Sequence, residues 1–240
     1  MTKPRGHSNL AALLAELVFR LRGGPLRTSR WIADRIRDHR YDREFGISSS
    51  AQPQLKYTGL TSPDSVHYQA VSYSDMRELL TLLAIGPSDV FLDYGSGMGR
   101  AVCLAATYPL RGVIGVEISP ELSSIARRNL DQARDKLLCR DVRIVQSNAA
   151  DYEPPSEVSI FFFFNPFHGS LLARVLDNVA RSLRNSPRNI QIIFYGTVSS
   201  YHFRAQAAKH EWLKLSAETV LRTGAVALLY LNADPVKSVP

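Results

Sequence analysis

In Val90-Phe91-Leu92-Asp93-Tyr94-Gly95-Ser96-Gly97-Met98-Gly99-Arg100, a short β-forming apolar run meets an acid and then three glycines at alternate positions. Val90 to Leu92 predict a fully buried strand. The small apolar residues that follow, Ala101-Val102-Cys103-Leu104-Ala105-Ala106, predict a helix packed tightly on a sheet. Strand, glycine turn and helix together bring bare backbone N–H groups and a helix N-terminus up to a ligand. Gly95, Gly97 and Gly99 take positive φ without a Cβ clash and leave room for a ligand against the main chain.

The spacing narrows the ligand. A dinucleotide fingerprint reads G-x-G-x-x-G, whereas here an acid stands two residues before the first of three alternating glycines. Asp93 would repel a pyrophosphate but suits a ligand that carries an ammonium group. S-adenosylmethionine carries one at its amino-acid end, with a sulfonium beside it. Gly112-Val113-Ile114-Gly115-Val116-Glu117 reads as a second buried strand that also ends in an acid. From that position a carboxylate accepts both hydroxyls of a ribose. The plainer alternative is a glycine turn with an ordinary capping acid; two strand-terminal acids in register with the turn favour the cofactor.

Asp93-Tyr94-Gly95-Ser96-Gly97-Met98-Gly99 and Gly115-Val116-Glu117 resemble the first two motifs of class I, seven-β-strand, S-adenosylmethionine-dependent methyltransferases. The resemblance runs over roughly residues 70 to 232. Within the class it is nearest to bacterial members of unassigned substrate and, more distantly, to non-SET histone-lysine methyltransferases. It implies that Asp93, Gly95, Ser96, Gly97, Gly99, Glu117 and the neighbouring Ile118 hold the cofactor. Class members usually carry Gly-Asp-Ala after the third strand, where the Asp accepts from the adenine amino group. This chain has Ser147-Asn148-Ala149, so Asn148 departs from the pattern, though its amide oxygen can accept the same bond. Asn148 and Ala149 are therefore assigned to the cofactor, with Asp151 as a weaker substitute.

The apolar run Val158 to Phe164 predicts a central strand buried on both faces, and it ends in Asn165-Pro166-Phe167-His168-Gly169. Asn165-Pro166-Phe167 resembles the Asp/Asn-Pro-Pro-aromatic loop of amine-directed methyltransferases. There an amide oxygen holds the target N–H groups and an aromatic ring contacts the nascent cation. The resemblance makes Asn165, Pro166 and Phe167 the candidate catalytic residues, with Asn165 also touching the cofactor. Without it, Asn-Pro is an ordinary turn initiator, and Pro166 and Phe167 merely shape the loop. His168 as a base is the lesser reading beside a satisfied loop histidine.

The 240 residues suit one α/β domain with a modest extension. Hydrophobic content of 45% and charged content of 21% are ordinary for a globular chain. The two cysteines, Cys103 and Cys139, form no CxxC pair, and the six histidines show no ligand spacing. That pattern suggests reduced thiols, a cytoplasmic location and no metal site. Residues 1–50 hold ten Lys/Arg against five Asp/Glu, giving +5 of the formal +7. The extension is thus basic, which suits either a solvated face or an acidic partner. The apolar run Leu10 to Leu21 is too short to span a bilayer and contains Glu16, so no integral membrane span is expected.

Along the chain, Asn9 to Leu21 and Trp31 to Tyr41 predict helices. Tyr41-Asp42-Arg43-Glu44-Phe45-Gly46 resembles a segment of the bacterial relatives. Tyr57 to Tyr73 predicts a loop, and in the class such a segment commonly folds over the cofactor. Tyr68 is accordingly assigned to the cofactor, with Ser72 and Tyr73 as further lid candidates. Ser74 to Leu83 predicts a helix with Ser74 in its cap, and Ser119-Pro120 opens another that runs to about Leu138. Val142 to Gln146 and Ile190 to Tyr195 predict strands, and Leu171 to Leu183 a helix. Trp212 to Val220 and Ala225 to Leu231 predict a closing antiparallel hairpin.

The expectation is a three-layer αβα sandwich around a mostly parallel, seven-stranded Rossmann-like sheet, with a basic helical extension at residues 1–56, the methyltransferase domain at 57–232 and a tail at 233–240. S-adenosylmethionine is the expected cofactor and an amine, such as a protein lysine, the expected acceptor. The acceptor's identity and the oligomeric state stay open. A nicotinamide-dependent oxidoreductase and a non-catalytic cofactor- or nucleic-acid-binding module are the alternatives.

Overall fold

The computed structural model describes residues 25–50, 69–196 and 200–233. The predicted helix at Asn9–Leu21, the lid candidate Tyr68, and the tail from residue 234 lie outside these. Helices α1 (Pro25–Phe45) and α2 (Tyr73–Leu82) precede β1 (Val90–Tyr94) and α3 (Arg100–Ala105). Then come β2 (Gly112–Glu117), α4 (Pro120–Ala133), β3 (Val142–Gln146) and β4 (Ile160–Phe164). The chain closes with α5 (Gly169–Asn185), β5 (Gln191–Gly196), α6 (Ser200–Ala207), β6 (Leu213–Val220) and β7 (Val226–Asn232).

The seven strands lie in the order β3-β2-β1-β4-β5-β7-β6. β1 to β5 are mutually parallel, and β7 is antiparallel to both β5 and β6. The chain winds outward from β1 to β3, then crosses back to place β4 on β1's other side. That reversal opens a crevice at the carboxyl ends of β1 and β4, where ligands bind in sheets of this kind.

The four consecutive phenylalanines of β4 explain themselves by the two-residue period of a strand. Ile160 and Phe162 pack on the face covered by α2 and α3. Phe161 and Phe163 pack on the opposite face with Leu172, Val175, Leu176 and Phe203 of α5 and α6. A run buried on both sides is what the middle of a three-layer sandwich requires.

Local signals set several ends. Ser119 caps α4, accepting from the Leu122 N–H at 3.2 Å, and Pro120 occupies the first turn. That helix ends at Ala133 and tightens into a 3-10 turn at Arg134–Lys136, short of the expected Leu138. The cap of α2 is Ser72, whose side chain accepts from Asp75 N–H, so the expected Ser74 cap is corrected by two residues. Ser74 instead turns toward α1, within 3.4 Å of Arg37 Nη1. α1 runs on through Tyr41-Asp42-Arg43-Glu44-Phe45 and packs Tyr41 and Phe45 against Tyr73. No helix among the described residues is long and apolar enough to cross a membrane. Cys103 and Cys139 are free thiols, both buried.

Candidate active site

Asp93 lies next to last in β1, opposite Gly115 of β2 and Phe162 of β4. Glu117 is the last residue of β2. Both carboxylates are buried at the same end of the sheet. Burial first, and the Glu117 charge second, hold the Asp93 carboxyl up to about 8. Burial also raises Glu117, although its oxygens accept from the Gly97 and Ser119 N–H groups, each at 2.8 Å. Two acids in one buried corner call for a cation.

The glycine turn is built differently from the sequence expectation of bare N–H groups aimed at a ligand. Gly95 and Ser96 N–H both donate to the Val116 carbonyl, Gly97 N–H to Glu117, and Gly99 N–H to the Ser96 carbonyl. The N–H groups are spent on fastening the turn to β2, and α3 behind it is only six residues long. A phosphate finds little here, whereas an ammonium finds two carboxylates.

Small residues let the turn lie this close. A Cβ on Gly115 would come within 2.8 Å of Ser96 Oγ and of Val102. Gly99 has φ +81° and sits against Ala126 of α4, and Gly95 has φ +77° with Pro166 where a side chain would go. Pro166 thus joins the end of β4 to the glycine turn.

Asn165 has φ 43°, a left-handed conformation that asparagine tolerates better than most residues. The twist swings its carboxamide onto the Cα of Gly196, at the end of β5, into the space a side chain there would fill. Gly196 thus lies directly against Asn165; in sequence, the end of this strand reads either as facing a substrate or as a plain strand terminus. Its signal is a glycine ending the strand next to the one that carries Asn165. Phe167 is buried in the core, edge-on to Tyr94 and Phe163 at ring distances of 6.4 and 6.1 Å. His168 stacks with His202 of α6 at 5.5 Å.

The remaining sequence candidates are spread over several elements. Asn148, just past β3, accepts the Ala150 N–H at 3.0 Å and so shapes its own loop. Ala149 is buried beside it, and Asp151 pairs with Arg174 at the surface. Ile118, beyond Glu117, is one of the large apolar side chains left exposed. Tyr73 lies in the core, donating its hydroxyl to Asp42 at 2.8 Å.

A family model described as "Histone methylation protein DOT1" matches residues 48–146, the segment that carries β1, the glycine turn, β2 and β3. A histone-lysine N-methyltransferase, H3 lysine-79 specific, of Caenorhabditis elegans is 33% identical over 88 residues, 36% of this chain. The chain spans only 9% of that relative's length. Among solved structures, an S-adenosylmethionine-dependent methyltransferase from Aquifex aeolicus superposes with a TM-score of 0.55 at 10% identity, covering 66% of this chain and 90% of that one. The chain has the class I methyltransferase fold. An RNA methyltransferase from Salinibacter ruber, solved with S-adenosyl-L-homocysteine, gives 0.53 at 18% identity over 72% of this chain and 97% of that one. The cofactor of this class is S-adenosylmethionine, and two buried carboxyl groups at one end of the sheet are a donor set that fits a cationic, hydroxyl-bearing ligand.

Proposed function

We propose that the protein transfers the methyl group of S-adenosylmethionine to an amine nitrogen, with protein lysine as the acceptor class. The observation that carries the reading is the seating of Asn165 over Gly196, beside the glycine turn that Pro166 clamps. The 33% identity over 88 residues to a histone-lysine methyltransferase adds support.

Bound S-adenosylmethionine supplies a methyl already activated by its sulfonium. The protein's part is then to hold and align. Asp93 takes the ammonium end of the cofactor, Glu117 the ribose hydroxyls, and Asn148 and Ala149 the adenine edge, with Ile118 as an apolar wall. Tyr68 belongs to the same proposal as a contact from the preceding loop. Asn165 presents a carboxamide oxygen to an acceptor N–H, which orients the nitrogen lone pair. Alignment of this kind supplies as much as about 7–11 kcal/mol of a barrier. The acceptor must arrive deprotonated, because an ammonium has no lone pair to offer. Pro166 and Phe167 fix the loop that carries Asn165. A cytoplasmic location is part of this proposal, and a histone acceptor would count against it.

Radiolabelled S-adenosylmethionine incubated with the protein and, separately, with core histones, fractionated lysate protein and RNA tests the reading. Label on lysine Nζ, lost in Asp93→Ala and in Asn165→Ala, is the expected result. Label confined to RNA would move the acceptor to a nucleobase. Label that survives both substitutions would overturn the site.

A further inference from the structure

The side chain of Arg100, the first residue after the glycine turn, is almost wholly buried, and its bonds go to the upstream chain. Its guanidinium gathers pieces of the chain from far upstream. Nε donates to Ser49 Oγ at 2.8 Å, and Nη2 to Ser50 Oγ at 2.6 Å. Nη1 donates to Asp38 Oδ2 at 3.0 Å and to the Val71 carbonyl at 2.7 Å. Asp42 lies 3.6 Å from Nη2, and the Tyr73 ring lies under the guanidinium at 4.7 Å. An arginine fork carries five N–H donors, and four acceptors meet it here.

Asp42 completes the cluster. It accepts from the N–H and hydroxyl groups of both Ser49 and Ser50 and from the Tyr73 hydroxyl. Burial alone would raise its carboxyl, but the Arg100 charge and these bonds outweigh burial and hold it below its ordinary value. Asp38, with fewer bonds, is raised by burial in spite of Arg100.

A second tie runs parallel to the first. Asn129 of α4 is buried, and its Nδ2 donates to the Met98 carbonyl inside the glycine turn at 2.9 Å. The same carboxamide brackets Ser48, accepting its N–H at 3.1 Å and donating to its carbonyl at 3.2 Å. Residues 48–50 are thus bolted to both ends of the Met98-Gly99-Arg100 step. Without them the Arg100 Nε and Nη2 donors would lose their hydroxyl acceptors, and unpaired donors on a buried charge are tolerated poorly.

Resting on the cofactor reading above, we infer that Arg100 is a positioning residue through which the docking of α1 and residues 46–50 sets the cofactor affinity of the glycine turn. The segment contributes to cofactor binding without touching either carboxylate that holds the cofactor. The coupling is reciprocal, because two sites that share one conformational element bias each other equally. Cofactor binding therefore tightens α1 in return.

The test uses the full chain, S-adenosyl-L-homocysteine as probe, and hydrogen exchange at residues 36–50. In the wild type the probe is expected to slow exchange there. Arg100→Met is expected to raise exchange at 36–50 and to weaken probe binding by about tenfold or more, and its KM for the cofactor to rise while kcat at saturating cofactor stays near the wild type. A role confined to stability would not split KM from kcat in this way. Should Arg100→Met fail to fold, Ser50→Ala and Asp38→Asn each remove one bond from the fork and should shift both readouts in the same direction by a smaller factor. Wild-type affinity in these variants together with loosened exchange would overturn the coupling and leave the cofactor reading standing. Failure of the wild type to bind the probe at all would overturn both.

Discussion

Asn165 and Gly196 form a unit that neither residue makes alone. The carboxamide lies where a Cβ on Gly196 would stand, and Gly196 has no positive φ of its own, so alanine is excluded there by space and not by backbone conformation. Gly196→Ala is consequently a steric probe of Asn165 that leaves the asparagine in the chain. Asp93, Glu117 and the glycine turn lie on other strands, so cofactor affinity should stay within about threefold. The displaced carboxamide should lower kcat by about 100-fold, the penalty for moving a positioning group by about 1 Å. Single-turnover methylation and titration with S-adenosyl-L-homocysteine measure the two quantities separately. Equal losses in both would mean that Asn165 serves the cofactor alone.

At the scale of elements, the turn of the closing hairpin is tied to α2 by Asp75, with Glu78 accepting the Arg222 N–H at 3.3 Å beside it. Asp75, in the first turn of α2 and fully buried, accepts the Tyr195 hydroxyl at 2.5 Å. It also accepts the Thr223 hydroxyl and, at 3.2 Å, the Thr223 N–H from the turn between β6 and β7. Asp75→Ala strands the Tyr195 hydroxyl in the core and loosens the hairpin turn. An unpaired buried polar group costs about 1–3 kcal/mol, so denaturant unfolding should show a loss of about 2–4 kcal/mol, with exchange rising first at residues 221–225. A loss below about 0.5 kcal/mol would mean that the hairpin is held by its strand pairing alone. Elements of this kind mark the boundary of what the chain discloses on its own. The strands β1, β2 and β4 were legible because their signals are local: apolar runs that end in Asp93, Glu117 and Asn165. The fold class followed from their order. The latch at Asp75 and the fork at Arg100 were hidden, because their hydrogen-bond partners lie 120 to 148 and 29 to 62 residues away in sequence. The seat of Asn165 was hidden for the same reason, since it depends on the register of β4 against β5. The cap at Ser72 was missed because a serine stands at both 72 and 74, and only the packing of α1 selects between them.

For the whole molecule, the site is an expense that the fold carries until its ligand arrives. Asp93 has an ordinary value of 3.8 and is held up to about 8 in the folded chain, by burial and then by Glu117. Between those two values the folded chain keeps a proton that the unfolded chain has released. Stability then falls as pH rises, because the unfolded state binds fewer protons. Asp93→Asn keeps the shape and removes this titration. The variant should therefore gain on the wild type progressively from about pH 4 upward, with the difference levelling off above about pH 8. Cofactor binding has the opposite slope. A cationic ligand selects the ionised carboxylate, so wild-type affinity should rise with pH, by at most about tenfold per unit, and flatten near pH 8, whereas Asp93→Asn should bind weakly with little slope from this group. Thermal unfolding and calorimetric titration of both proteins between pH 5.5 and 9 measure the two trends together. A variant less stable than the wild type at pH 8.5, or a wild-type affinity that declines from pH 6 to 8, would mean that Asp93 already has a cationic partner in the folded chain and is not the group that receives the cofactor's ammonium.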